Sequence, residues 1–296
     1  MGEPKIRLGI GLGAQTRAAG FGEAVDKLEA NGVDSLWLPE IVYSPAVDPM
    51  IGMTHALART INLKVGTGIS VLPGRNPVLV AKQLSTLAGL APKRVLPVFG
   101  LQPARAPERD LFPVPRGRRA DVFDESLRLI RLLLSRDEVS FEGEFFSVDK
   151  VSLGDRPAKP LDLWLGGSAP AALRRIGRLA DGWLGSFLSP EQAEHAVDVI
   201  RTAAAEAGRE IEADHYGLSV AVAPHGVPDD LAAVARQRTP DIDVSELVPG
   251  SWQETRRLLE RYIEAGLTKF VLRPAGEIPF DEFLDGFLTE AAALQN

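Results

Sequence analysis

The stretch from Lys64 to Pro77, KVGTGISVLPGRNP, decides how the rest of the chain is read. Its flanks, INLKV before and VLP within, are apolar and β-branched as a buried strand requires, yet Gly66, Gly68 and Ser70 stand inside it, where larger side chains would pack better. Glycine weakens a strand by entropy and by leaving nothing to pack. Such a run therefore marks a bulge, or a place where a ligand approaches the backbone. At its end, Asn76-Pro77 places an N-cap before a first-turn proline, so the strand feeds directly into a helix.

Outward from this stretch the same strand-then-helix unit recurs. Strand-like runs cover Ile6 to Leu12, Ser35 to Glu40, Leu63 to Leu72, Arg94 to Leu101, Leu161 to Gly167, Asp181 to Ser186, Tyr216 to Ala223 and Lys269 to Pro274. Eight parallel strands alternating with amphipathic helices predict an α/β fold of the (β/α)8 TIM-barrel type, a single domain over residues 1–296. Asp48-Pro49, Ser189-Pro190 with Gln192, and Ser251 with Glu254 supply helix starts, and Gly208 and Gly266 supply left-handed stops. Between a fourth helix ending near Arg136 and the fifth strand, VSFEGEFFSVDKVSL alternates and turns at Glu142-Gly143, which predicts a β-hairpin excursion. A doubly wound nucleotide-binding sheet is the competing architecture. Glycines 9, 11 and 13 and the strand-ending Glu40 suit it, but no glycine falls among residues 14–17, where the opening helical turn needs one.

Composition narrows the function. The 296 residues are 45% hydrophobic, enough for a large core, and the net charge of −7 without basic, aromatic-interleaved runs disfavours nucleic acid and anionic membranes as partners. The absence of cysteine excludes disulfides, thiolate nucleophiles and thiolate metal sites. With no signal-peptide core and no bilayer-length apolar run, the expected location is cytoplasmic and the expected partner a small molecule.

In such a barrel the reactive face is the carboxyl end of the strands. Those ends hold one carboxylate, Glu40, no metal-spaced histidine pair and only one histidine, His225. A face this poor in reactive groups leaves its chemistry to a bound cofactor. LWLGGSAP suggests where a phosphate sits: Gly166 and Gly167 let backbone approach, and Ser168 is placed to cap a helix whose free N–H groups attract an anion. A tight strand-to-helix turn needing small residues accounts for the same letters.

The segments VGTGISVLPGRNPVLVAKQLSTLAGLAPKRVLPVFG, FDESLRLIRLLL with VSFEGEFF, and PLDLWLGGSAPAALRRIGRLADGW resemble the signature segments of the bacterial luciferase-like superfamily, and more specifically its coenzyme F420-dependent oxidoreductase branch. The resemblance implies F420 as cofactor, with FMN the alternative, and a homodimer. It implies a bulged third strand beneath the cofactor ring, with a non-prolyl cis peptide at Ser70-Val71, room from Gly66 and Gly68, and Val71 against one ring face. Gly100 joins this ring site. Gly166, Gly167 and Ser168 match the phosphate loop, with Ser186 near it. Leu12, Ile41, Tyr43, Phe99 and Leu101 are expected to line an apolar substrate pocket. Arg75, or Arg116, Arg118 and Arg119, are candidates for the acidic F420 tail. Many members carry histidine after the acidic residue of the second strand. Here Ile41 follows Glu40, which puts alcohol oxidation in doubt and leaves Glu40 as a ring-orienting group, a general acid or a loop cap. The functions implied are F420-linked hydride transfer, FMN-dependent monooxygenation, or cofactor binding without turnover.

Overall fold

The computed structural model describes residues 5–13 and 16–296; Ala14, at the end of the first expected strand-end loop, lies outside them. The chain runs β1 (Arg7–Gly11), α1 (Phe21–Ala30), β2 (Ser35–Leu38), α2 (Pro49–Arg59), β3 (Lys64–Thr67), β4 (Ser70–Val71), α3 (Pro77–Leu90), β5 (Val95–Leu96), β6 (Val98–Gly100) and α4 (Arg119–Ser135). A hairpin of β7 (Val139–Glu142) and β8 (Ser147–Val151) follows, then β9 (Trp164–Gly166), α5 (Pro170–Leu179), β10 (Gly182–Ser186), α6 (Pro190–Glu206) and β11 (Tyr216–Val222). Helices α7 (Asp229–Arg238), α8 (Val244–Leu247) and α9 (Trp252–Glu264) precede β12 (Lys269–Pro274) and α10 (Phe280–Gly286).

The expected barrel closes. β3 and β4 are two halves of one stave, and β5 and β6 two halves of the next. β3 pairs with β2 and β5, β4 with β6, and β6 with β9. From there β10, β11, β12 and β1 continue in parallel back to β2, so eight staves form a ring with no free edge. The fourth stave breaks at Pro97, which has no N–H for the ladder. Thr67 repairs the gap: its hydroxyl donates to Val98 O at 2.7 Å and accepts from Val98 N at 2.8 Å.

The third stave breaks at Gly68-Ile69, and the peptide between these residues is cis. This corrects the expectation of a cis bond at Ser70-Val71. Ser70 and Val71 pair regularly with Phe99 and Gly100, so the irregularity falls before them. Gly66 also has a different task from the expected one. A Cβ there would lie 2.8 Å from the Trp37 ring, which fills the barrel interior with Val98, Trp164, Leu184 and Val271. The glycine is space for an indole, not a hinge. Leu8, Val65, Phe99, Leu165 and Phe270 belong instead to the large core between staves and helices.

Most helix boundaries follow their sequence signals. Asp48 accepts from Ile51 N, Asn76 from Val78 N, and Ser189 and Gln192 form a capping box. Ser251 caps α9 through Glu254 N, but the Glu254 carboxylate turns to Gly250 N. Gly208 and Gly266 are left-handed, at φ 66° and 88°. Among the described residues no helix is long and apolar enough to cross a membrane.

The hairpin is tied to the barrel by buried Glu125 of α4, whose carboxylate accepts from the backbone N–H groups of Glu144, Phe145 and Phe146 at 2.8–2.9 Å. Glu125→Gln loses one acceptor and turns an amide against those donors, so about 1–2 kcal/mol of stability is expected to go. Thermal unfolding of the variant measures it; an unchanged midpoint contradicts the tie.

Candidate functional site

A cavity of about 2120 Å³ occupies the carboxyl end of the barrel. Ligand pockets for drug-sized molecules run to roughly 300–1,000 Å³, so this one has room for a large cofactor and a second molecule. Its floor is built by three neighbouring staves. Ile69 lies across Gly100 and Gly166: a Cβ at Gly100 would meet Ile69 Cδ1 at 2.2 Å, and one at Gly166 would meet Ile69 Cγ2 at 3.2 Å. The two glycines therefore let one isoleucine lie flat. Gly68 presents almost bare backbone, since a Cβ there would touch only Trp37 Cβ at 3.5 Å.

Beside the floor, α5 begins. Gly167 takes φ 123°, and residues 167–170 line the cavity wall. The expected serine cap is absent: the N-cap is Ala169, without a side-chain hydrogen bond, followed by Pro170. Ser168 is left half-buried on the wall with no hydrogen bond among the described residues. Trp183 Nε1 fixes the turn by donating to Gly167 O at 2.8 Å.

Glu40 is buried at the cavity edge, and both its oxygens are engaged. Oε2 accepts from Val71 N at 2.7 Å, and Oε1 pairs with Arg75, whose Nε reaches Val71 O at 2.8 Å. The guanidinium lies 5.4 Å from the Phe112 ring centre. Burial pushes the Glu40 carboxyl above the ordinary range, only partly opposed by Arg75 and the Val71 N–H. Glu40 thus clamps the broken stave at the edge of the cavity.

Of the residues expected from sequence, Leu12, Glu40, Ile41, Gly68, Val71, Gly100, Leu101, Gly166, Gly167, Ser168 and Ser186 line this cavity. Three do not. Phe99 points into the outer core, because strand alternation turns Val98 and Gly100 inward. Ser70 is buried behind the floor, its hydroxyl unpaired. Tyr43 is exposed, with its backbone held by Glu108 and Arg105. The arginines also differ: Arg75 is committed to Glu40, Arg118 to Asp121 and Glu144, and Arg119 to Phe112 O, and none of these, nor Arg116, lines the cavity. Arg17, Arg105, Arg109, Arg174, Arg238 and Arg273 do. Arg273 could have been picked out as a cation at the end of the eighth strand. Arg238 and the floor residue Ile69 carry no comparable signal, except that Ile69 shares the alternation of Val71. His225 pairs with Glu282 at 2.6 Å on the surface, whereas His195 of α6 lines the cavity mouth.

The sequence matches the luciferase-like monooxygenase family over residues 5–269. An F420-dependent glucose-6-phosphate dehydrogenase of Nakamurella multipartita is 31% identical over 196 residues, 62% of this chain and 57% of that protein. The chain spans little more than half the length of the curated relatives it matches first. Among solved structures, an F420-dependent secondary alcohol dehydrogenase in complex with an F420-acetone adduct superposes with a TM-score of 0.81 at 20% identity, covering 99% of this chain and 100% of that one. The oxygenating constituent of 3,6-diketocamphane monooxygenase from Pseudomonas putida, in complex with FMN, gives 0.75 at 15% identity, covering 98% and 99%. These two likenesses speak to the barrel fold.

Proposed function

Because the chain belongs to the luciferase-like monooxygenase family, we propose that it is a cytoplasmic F420-dependent oxidoreductase acting on an organic substrate with an apolar body. The observation that carries this reading is the floor at the barrel mouth, where Ile69 lies flat across Gly100 and Gly166 beside the open start of α5. A flat ring fits the surface that Ile69 makes when the glycines beneath it let its side chain lie flat, and the cofactor's phosphate fits the Ser168 hydroxyl and backbone at the helix start. Bound there, the deazaflavin supplies hydride exchange at its C5, chemistry that no side chain of this site offers. The protein's share is placement: Ile69 and Val71 support the ring, while Glu40 and Arg75 hold the stave that carries them. Leu12, Ile41 and Leu101 keep water from the reacting carbon. With isoleucine where an imidazole would serve alcohol oxidation, reduction of a conjugated or imine-like carbon suits the site better.

Parallel fluorescence titrations with F420, FMN and NADPH test the proposal. F420 is expected to bind most tightly, and preferential binding of NADPH would sink the reading. Gly100→Ala supplies a sharper check. Its Cβ forces Ile69 off the floor and into the ring's place, so F420 affinity is expected to fall about tenfold or more, the equivalent of about 1.4 kcal/mol of overpacking. Ile69→Ala in that background restores it. The similarity to an FMN-containing monooxygenase favours a second reading, FMN-dependent oxygenation. Oxygen uptake with reduced FMN distinguishes the two, and light scattering reads the homodimer expected from the resemblance.

A further inference from the structure

We propose that Arg238 and Arg273, with Ser186, form a receptor for an oxyanion on the substrate, a carboxylate or phosphate ester attached to the apolar body. The inference rests on the barrel-mouth reading above and gives that site its substrate class.

The two guanidiniums converge from separate elements, the end of α7 and the eighth stave, onto one ring. Arg238 lies 5.2 Å and Arg273 5.6 Å from the centre of Phe187. Arg238 Nη1 also donates to Ser186 Oγ at 3.0 Å. Phe187 itself holds φ 54°, a left-handed conformation that is rare for a bulky residue and clusters at ligand sites. Arg238 is exposed and Arg273 half-buried. Several other arginines of this acidic chain are neutralised by carboxylates, Arg175 by Asp124 and Arg131 and Arg209 by Asp181, while Arg94 and Arg119 bind backbone carbonyls. Among the described residues neither Arg238 nor Arg273 has an ion pair, although Asp230 and Glu277 line the same cavity. Desolvation, reinforced by the like charge of Arg238, pushes Arg273 down to about 10. Both residues stay charged at neutral pH, and their mutual repulsion, screened in part by solvent at exposed Arg238, has no carboxylate set against it. An oxyanion between the two forks removes that repulsion and satisfies planar donors that match carboxylate and phosphate geometry.

Position separates this anion from the cofactor's own phosphate. The floor belongs to the third, fourth and fifth staves, and the eighth stands across the ring from the fourth. The α5 start, on the floor side, is where the reading above seats the cofactor's phosphate. The arginine pair therefore faces the reacting side of the mouth, with Leu12 and Ile41 lining the space there.

Calorimetric titration of inorganic phosphate, hexanoate and hexanamide into F420-loaded and cofactor-free protein tests the proposal. Saturable binding of either anion is expected, with hexanamide at least tenfold weaker than hexanoate. Arg273→Met is expected to weaken anion binding at least tenfold, Arg273→Lys to retain part of it, and Arg273→Met to hold F420 with unchanged affinity. The proposal is overturned by equal binding of acid and amide, by no saturable anion binding to the wild type, or by full anion affinity in Arg273→Met. It is also overturned if Arg273→Met weakens F420 but not its phosphate-free deazaflavin, which would assign the pair to the cofactor. Should F420 fail to bind at all, the cofactor-free titrations still decide whether the anion receptor exists.

Discussion

Glu40→Ala is expected to lose about 3 kcal/mol of folding stability and most of its cofactor affinity together. The carboxylate is buried, and its removal strands two donors at once, the Val71 N–H and the Arg75 guanidinium. Breaking a buried ion pair from one side costs about 3–5 kcal/mol; the lower end applies because Arg75 is about a third exposed and can recruit water. The same bonds hold the stave whose broken half carries Ile69, so the floor loosens with the clamp. Denaturant unfolding and F420 titration read the two losses. Glu40→Ala with Arg75→Met should regain part of the stability, since no charge is then left unpaired. A variant that keeps its affinity while losing stability would show that the clamp is structural only.

Glu40 also gives the clamp a pH signature. Its folded carboxyl is raised above the ordinary range, chiefly by burial, so between the ordinary value and the raised one the folded state binds more protons than the unfolded state. Stability from this group therefore declines as pH rises through that window and is level above it. In Glu40→Gln the decline disappears.

Asp34→Asn is expected to cost about 3–5 kcal/mol at neutral pH while leaving cofactor affinity unchanged. Asp34 sits at the opposite, amino-terminal end of the barrel. Its Oδ1 binds Lys64 Nζ at 2.6 Å, and its Oδ2 faces Lys269 Nζ at 3.6 Å. Asp34 and Lys269 both have side chains only 8% exposed, so the amide would leave an ammonium in the core without a counter-charge. Burial works against ionisation of Asp34, but Lys269 and Lys64 outweigh it and hold the carboxyl below its ordinary value. The wild type gains this stabilisation above the ordinary carboxylate range and loses it as pH falls through the lowered value. The variant lacks that acid limb. Lys269 is already lowered by desolvation, with Asp34 opposing; without Asp34 its burial penalty eases only as rising pH neutralises the amine. Thermal melts from about pH 2 to 9, which span the ordinary and lowered carboxylate range, check this, and Asp34→Asn with Lys269→Met should recover most of the loss. An Asp34→Asn protein as stable as the wild type would contradict it. Paired with Glu40→Ala, the experiment separates the stabilising end of the barrel from the reactive one.

The sequence by itself determined the eight staves, the hairpin, most helix ends and the end of the barrel at which the large cavity opens. Each of these is a local matter: alternation, a capping side chain or a proline acts within a few residues of itself, as Asp48, Asn76 and Ser189 do here. Only the tertiary structure decided which glycine serves which neighbour. Gly66 makes room for Trp37 and Gly100 for Ile69, contacts between staves that no spacing along the chain encodes. It also moved the cis peptide to Gly68-Ile69, turned Phe99 out of the pocket, committed Arg75 to Glu40, and brought Arg238 and Arg273 onto one ring from elements 35 residues apart. Closure of the ring sets those meetings, because a side chain's partners across a barrel depend on register and stagger among staves, and a linear pattern carries neither.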